Sequence, residues 1–187
     1  MGDHVDRVLQ QWRAERPDLE ASPMGIVGRI QRASRLLERG LSENFARDDL
    51  QLWEFDILAT LRRSGPAPYR LTAGALSDSS MVTSGAITNR IDRLVARGLV
   101  TRETDPANRR SVVITLTESG WALINNVLVH HVAHEERLLA ALSAEEQQQL
   151  ATLLRTLLIG LGDVPPQQTR ATPDTRVNAK RVTKLRR

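Results

Sequence analysis

The chain has 187 residues, of which 41% are hydrophobic and 26% charged, with a formal net charge of +4 and no cysteine. This length and hydrophobic share are enough to bury one sizeable core, whereas the lack of cysteine excludes disulfides, thiolate metal sites and cysteine-based redox sensing. No apolar run approaches the roughly 20 residues that span a bilayer, and the first residues lack a signal-peptide core, so we expect a cytoplasmic protein.

Apolar residues at helical spacing predict three helices in the first third of the chain. A short helix over residues 5–13 carries Trp12 and belongs to an N-terminal extension, residues 1–22. Pro23 opens a second helix to about residue 45, within a segment 23–49 that we assign to dimerisation. A third, densely apolar helix over residues 50–63 begins a DNA-binding lobe of residues 50–116.

The middle of that lobe contains a predicted helix with one apolar and one cationic face. Its apolar stripe, spaced i, i+4, i+7 and i+8, consists of Ile87, Ile91, Leu94 and Val95. The opposite face and its flanks carry side chains suited to DNA: Asn89 to adenine, Arg93 to guanine or phosphate, and Ser84, Thr88 and Arg90 as neighbouring contacts. Gly98 is expected to end this helix as a C-terminal cap.

Residues 99–104 and 110–116 are rich in Val, Ile and Thr, and a proline-containing turn over residues 105–109 separates them. This pattern predicts a β-hairpin with Arg109 and Arg110 at its tip. Guanidinium groups pair bidentately with phosphate and are attracted to a narrow minor groove. Asp105 is an alternative partner for one of the two arginines. A helix with an exposed Asn/Arg face followed by a basic hairpin indicates a winged helix-turn-helix.

Three stretches of this region carry a family resemblance: TNRIDRL at residues 88–94, RGLV at 97–100 and DPANRRSVVITLTESG at 105–120. Together they resemble the recognition helix and wing of MarR-type transcriptional regulators, and the resemblance extends over residues 23–161. It implies a mainly α fold with a small β-hairpin wing, inside a homodimer formed through the N- and C-terminal helices. It also implies a regulator that binds double-stranded operator DNA.

The segment 117–162 is predicted to contain two further helices. Thr117 is a good N-cap for a helix to about residue 142, and Ser143 with Glu146 forms a capping box for a last helix. Their apolar stripes lack partners within a small DNA-binding core, so we predict a twofold homodimer that reads two half-sites.

Residues 163–187 form a basic tail: its net charge is +6 from residue 165 onward, which leaves −2 for residues 1–164. The tail is either disordered and solvated or a loose contact to DNA phosphates.

Asp56 fits its surroundings poorly, because its neighbours along the third helix are almost all apolar. A buried carboxylate requires a cation or hydrogen-bond donors. Arg90, at the edge of the apolar stripe, and Arg102, in the first wing strand, are candidate partners. Two interpretations follow from the residues alone: a buried salt bridge, with Trp12 as ordinary packing, or a site for a small anion.

The set of Trp12, Asp56, Arg90 and Arg102 resembles the ligand site of the urate-responsive branch of the MarR family, the HucR-, PecS- and MftR-like regulators. The resemblance implies a small anionic effector, urate or a xanthine-like purine. Urate is planar and singly charged near neutral pH, so arginines supply charge and donors, a ring packs on it, and a carboxylate accepts its N–H groups. We expect the ligand to draw Arg90 inward and to release a palindromic operator from a repressor.

Other functions remain as alternatives: a regulator of the same type that responds to a citrate-like or phenolic anion, and a ligand-independent architectural DNA-binding protein. His130 and His134 are four residues apart on a predicted helix, as in some zinc sites, but a third ligand is not evident, so we predict no metal and no cofactor. The sequence has no glycine-rich phosphate loop, no Ser-His-Asp or Cys-His arrangement and no convincing carboxylate pair, so we predict no enzymatic activity.

Overall fold

The computed structural model describes residues 2–80, 87–106 and 108–164, and the chain divides into two compact units, residues 1–141 and 142–187. The first unit contains, in chain order, α1 (His4–Glu15), α2 (Ser22–Phe45), α3 (Leu52–Arg62), β1 (Arg70–Thr72), α4 (Ala73–Ser79), α5 (Ile87–Ala96), β2 (Val100–Asp105), β3 (Asn108–Leu116) and α6 (Glu118–Leu138). The second contains α7 (Ala144–Gly160). None of the described helices is both long and apolar enough to cross a membrane.

The N-terminal extension is a helix that is tied to α2. Asp3 and Asp6 form a capping box at the start of α1, and this cap lowers the pKa of Asp3, chiefly through the hydrogen bond from the Asp6 backbone N–H. Arg29 of α2 donates to the carboxylates of both, at 2.8 Å to Asp3 and 2.6 Å to Asp6. These contacts fix α1 along α2, although each is largely solvent-exposed and contributes little stability alone.

The core of the first unit lies between α3, α5, α6 and the sheet. It is formed by apolar side chains from these elements, with Phe45 at the end of α2 and Leu76 in α4: Ile57, Leu58, Leu61, Ile91, Leu94, Val100, Ile114, Ile124 and Val127. Two members of the predicted stripe, Ile91 and Leu94, are fully buried, whereas Val95 is exposed. The prediction for Val95 is wrong, because the i+8 position has rotated past the edge of the buried face.

The wing is a three-stranded antiparallel sheet with the order β1-β3-β2. Arg70 of β1 pairs with Thr115, and Val100 of β2 pairs with Leu116. β3 is longer than predicted because it begins at Asn108, whereas β2 keeps the predicted length of 6 residues but is shifted by one, so that it ends at Asp105, the register partner of Asn108. Arg109 therefore lies within β3 and not in a turn.

The end of α5 matches the predicted glycine cap. Gly98 has a φ of +67°, in the left-handed region that glycine adopts without steric penalty. The Leu99 N–H donates to the Leu94 carbonyl at 3.0 Å, and the Gly98 N–H donates to Val95 at 2.9 Å. These bonds satisfy carbonyls that the helix end leaves open and turn the chain into β2.

The start of α6 is attached directly to this turn. The Thr117 hydroxyl accepts from the Gly120 N–H at 3.0 Å and donates to the Gly98 carbonyl at 2.8 Å. The Thr117 N–H also donates to the Leu99 carbonyl. Thr117 is thus the predicted N-cap, and it joins α6 to the end of α5. The helix ends at Leu138, earlier than predicted, because its last turn tightens through a bond from Ala140 to the Arg137 carbonyl.

An aromatic cluster joins α2, α3 and α6. The imidazole of His131 stacks on Phe45, with centroids 5.1 Å apart, and lies 4.4 Å from the centroid of Phe55. Its Nε2 lies 3.3 Å from a Glu135 carboxylate oxygen. Burial lowers the pKa of His131 from its ordinary value of 6.5; Glu135 opposes this shift and His134 adds to it.

We expect this imidazole to make the protein less stable as the pH falls. Because the pKa of His131 is lower in the folded than in the unfolded state, its contribution is complete above pH 6.5 and is lost as the pH falls through the folded-state pKa. Thermal unfolding between pH 7.5 and 5 should show a shallower decline of Tm for His131→Phe than for the parent. His130→Asn, at an exposed position on the same helix, should keep the parental slope; equal slopes in all three proteins would contradict the assignment.

Large apolar side chains are exposed on α2, α6 and α7. On α2 they include Ile26, Val27 and Leu36, and on α6 they include Val129 and Val132. In the second unit, the Ser143 capping box begins α7 as predicted, and this helix exposes a further set: Leu150, Leu153, Leu157, Leu158 and Ile159. Exposed apolar area on this scale is typical of an association surface.

Candidate nucleic-acid interface and anion site

The outer face of α5 carries the hydroxyl and amide that the sequence assigns to DNA. Thr88 and Asn89 are both exposed; Asn89 lies on the side opposite the buried Ile91 and Leu94, and Thr88 lies on the flank of that side. An exposed amide on a helix of this kind can donate and accept at the edge of one base, as asparagine does with adenine. Ser84 lies outside the described residues.

The two arginines of the predicted DNA-reading set meet at one aromatic ring. The guanidinium carbon of Arg93 lies 4.9 Å from the centroid of the Trp53 ring, and that of Arg90 lies 5.7 Å from it. Trp53 is in the first turn of α3, and its indole N–H donates to the Gln51 side chain. The sequence analysis did not single out Trp53, because the contact joins residues almost 40 positions apart.

Arg90 has an unsatisfied donor. Its Nη1 atom is buried and has no hydrogen-bond partner among the residues that the structure describes. A buried N–H without an acceptor lowers stability by about 1–3 kcal/mol. An anion that reached this nitrogen would therefore gain a charge-assisted hydrogen bond without first breaking one.

A third arginine, directly after the last residue of α5, forms a buried ion pair that the sequence analysis missed. Arg97 Nη1 lies 3.0 Å from both carboxylate oxygens of Glu54, a residue only 2% exposed. Glu54 also accepts from the Gln51 backbone N–H at 2.9 Å, and Arg97 Nη2 reaches Asp49 at 3.1 Å. The signal that singled out Asp56, an acid in an apolar helix, applies equally to Glu54.

The wing presents Arg109 and Arg110 on β3, and both are exposed. The Arg110 N–H donates to the Asn108 side chain at 3.2 Å, which helps to hold the beginning of the strand. Two exposed guanidinium groups on a ribbon beside a helix are suited to contact phosphates, which give affinity and orientation but carry no sequence information directly.

The four predicted ligand residues occupy different surroundings. Asp56 is 8% exposed, as its apolar neighbours predict. Arg102 is on the surface of β2, where its Nη1 pairs with Asp92 of α5 at 2.7 Å. Trp12 is 39% exposed on α1. The role of these residues, with Arg90, in binding a ligand stays a prediction.

His130 and His134, which the sequence analysis considered as zinc ligands, do not share a partner in the part of the chain that the structure describes. His134 Nε2 lies 3.1 Å from the Gly40 carbonyl, and His130 is exposed. Among the described residues, no group of three or more His, Cys, Asp or Glu side chains is arranged to hold a metal ion.

A helix with exposed polar side chains, capped by glycine and followed by a basic hairpin that completes a three-stranded sheet, defines a winged helix-turn-helix protein of the DNA-binding class. The sequence model of the MarR family matches residues 48–111. The chain is 43% identical over 150 residues to the HTH-type transcriptional regulator PecS of Dickeya dadantii (strain 3937). The aligned region covers 80% of this chain and 90% of that protein. The chain therefore belongs to the MarR family.

Two solved structures relate this fold to DNA. Sco3205, a MarR family transcriptional regulator from Streptomyces coelicolor in complex with DNA, has a TM-score of 0.70 and 25% identity, covering 79% of this chain and 94% of that one. The C80S mutant of MarR from Escherichia coli complexed with operator DNA has a TM-score of 0.66 and 27% identity, covering 75% and 99%. The protein is a DNA-binding transcriptional regulator and not an enzyme.

Proposed function

We propose that the chain is a repressor that binds a palindromic operator as a homodimer and is released by a small anion, urate or a closely related purine. As an operator-binding regulator, the protein would act in the cytoplasm. The observation that carries the proposal is Arg90: a guanidinium on α5 whose buried Nη1 has no acceptor among the described residues. It lies on the helix proposed to read DNA and has an unused donor for a ligand.

The proposed DNA contacts divide into two kinds. Asn89 and Arg93 of α5 read base edges, with Thr88 beside them and Ser84 and Arg90 as further contacts at this helix. Arg109 and Arg110 of the wing contact phosphate. The exposure of Thr88, Asn89, Arg109 and Arg110 supports this division.

Dimerisation supplies the second half-site. The exposed apolar side chains of α2, α6 and α7 would be covered by a second copy, since such patches are seldom left in water. A twofold dimer reads a palindrome because the two recognition helices are related by the same symmetry as the two half-sites.

The proposed ligand site combines Arg90 and Arg102 as cations, Asp56 as an acceptor for purine N–H groups, and Trp12 as a packing surface. The 43% identity to PecS supports this branch of the family. For Arg102 to bind the ligand it must leave Asp92, an exposed pair whose loss costs about 1 kcal/mol or less. A tenfold to hundredfold loss of operator affinity requires about 1.4–2.8 kcal/mol of coupling, within the range of one or two charge-assisted contacts.

The two kinds of DNA contact should respond differently to mutation. Asn89→Ala is expected to weaken operator binding by about 10- to 100-fold and to relax the preference at one base pair, while non-specific binding is unchanged. Arg109→Ala should weaken operator and non-specific DNA alike and reduce the salt slope by about one. Competition gel shifts at several salt concentrations measure both. The reverse pattern would contradict the assignment.

Ligand release is tested by operator titrations with and without urate. The parent should lose at least tenfold in operator affinity at saturating urate, whereas Asp56→Asn should lose little, because the proposed acceptor is gone. Asp18→Asn removes an exposed carboxylate outside the site and should respond as the parent does. Xanthine, citrate and salicylate are titrated in parallel. Release by citrate or salicylate alone would mean that the effector is another anion and not a purine. If the footprint is not palindromic and none of the four compounds releases the DNA, the protein is an architectural DNA-binding protein.

A further inference from the structure

Three arginines, two in α5 and one directly after its last residue, lie on one face of the helix and meet the first turn of α3. Arg90, Arg93 and Arg97 are spaced by three and four residues, which keeps them within about 60° of one another on a helix that turns 100° per residue. Arg90 and Arg93 lie over the Trp53 ring, and Arg97 pairs with Glu54. The basic face of the recognition helix is thus oriented by two consecutive residues of α3.

The two ends of this contact differ in kind. Arg97 Nη1 lies 3.0 Å from each carboxylate oxygen of the buried Glu54. Its position is therefore fixed by directional hydrogen bonds as well as by the attraction of opposite charges. Arg90 and Arg93 are held by the face of an indole, which attracts a cation placed over the ring. The Trp53 ring is itself oriented by the hydrogen bond from its N–H to Gln51.

A cation–π contact does not require a hydrogen bond from the guanidinium. Arginine has five N–H donors, and a guanidinium attracted to an aromatic face can still use them to bind an acceptor elsewhere. Arg93 is exposed while it lies over Trp53, so its donors can reach DNA. A side chain already held in one orientation loses less conformational entropy on binding than a free arginine does.

We propose that Trp53 is a positioning residue for sequence reading: it holds the guanidinium of Arg93, with Arg90 beside it, in the orientation that meets the operator base edge. Trp53 itself touches no DNA. The inference rests on the proposed DNA reading by α5 but not on the identity of the ligand.

The test compares operator and non-specific DNA for variants at Trp53. Trp53→Leu removes the π face and should lower the operator to non-specific affinity ratio about tenfold, with the salt slope and the non-specific affinity unchanged. Trp53→Phe keeps a ring and should restore most of the ratio. Trp53→Met fills similar space without a π face and replaces the leucine variant if that variant unfolds.

The matched control is a second cation–π pair in the same lobe. Arg62 lies 4.8 Å from the centroid of the Tyr69 ring, away from α5, and also donates to Asn125. Tyr69→Leu removes an equivalent contact and should leave the affinity ratio as in the parent. Because Trp53 is proposed to act through Arg93, the ratio in Trp53→Leu/Arg93→Met should be close to that in Arg93→Met alone.

Several results would overturn the inference: an unchanged ratio in Trp53→Leu, equal losses on both DNAs, the same loss in Tyr69→Leu, or additive losses in the double variant. A parent protein that prefers no operator would instead refute the proposed DNA reading. The two failures are therefore separate.

Discussion

Replacing Arg97 with methionine is expected to lower the free energy of unfolding by about 3 kcal/mol, because it leaves the Glu54 carboxylate buried without its cation. Glu54 is 2% exposed, whereas the Arg97 side chain is 32% exposed, so we expect the lower end of the range for broken buried pairs. Methionine replaces the apolar stem of arginine without its guanidinium, so the loss reports chiefly the missing charge.

The other partner of Arg97 provides the control. Asp49 also pairs with Arg97, but its side chain is 99% exposed. Asp49→Asn should therefore change the unfolding free energy by about 0.5 kcal/mol or less. Urea unfolding measures all the variants. The double variant Arg97→Met/Glu54→Met should be more stable than Arg97→Met, since no charge is left buried. A loss for Arg97→Met no greater than that for Asp49→Asn would show that Glu54 does not need its cation.

Gly120→Ala is expected to destabilise the fold by about 3 kcal/mol or more, or to prevent folding. A Cβ at Gly120 would lie 2.0 Å from the Leu99 carbonyl oxygen and 3.0 Å from a methyl carbon of Leu116. The first obstacle is backbone, so relief requires α6 to move away from the turn that follows α5.

A second glycine separates this clash from helix propensity. Gly74 is in α4, and a Cβ there would meet no described atom within 4 Å. Gly74→Ala should leave the protein unchanged or stabilise it by about 0.5–1 kcal/mol, because alanine loses less backbone freedom on folding. Thermal unfolding followed by circular dichroism measures both variants. A Tm for Gly120→Ala at or above that of the parent would contradict the close approach.

Features set by neighbouring residues are the ones that the sequence predicts well. Thr117 and Ser143 cap their helices and Gly98 ends α5 as predicted, because each cap involves residues only three to five positions apart. The burial of Asp56 also follows from its own helix. The fold class and the DNA-binding function were predicted from motifs in the recognition helix and wing, and the family comparisons confirm them.

Contacts between distant residues were not predictable in the same way. Arg93 looked like a purely outward-facing residue on its own helix, and only the tertiary packing of α3 brings Trp53 beneath it. Arg102 was considered for Asp56, but the pleat of β2 directs it to Asp92. An arginine has many acids within the reach of its long side chain, so the sequence does not determine which of them it meets.

The bonds of Thr117 have a mechanical consequence. Its hydroxyl and backbone N–H join the last residues after α5 to the first turn of α6, and Gly120 leaves no gap between the two. These contacts join the two helices in space, although β2 and β3 separate them along the chain, so we expect a displacement of the start of α6 to move the C-terminal end of α5 with it. In the proposed homodimer, the distance between the two α5 helices would then change with any displacement of α6.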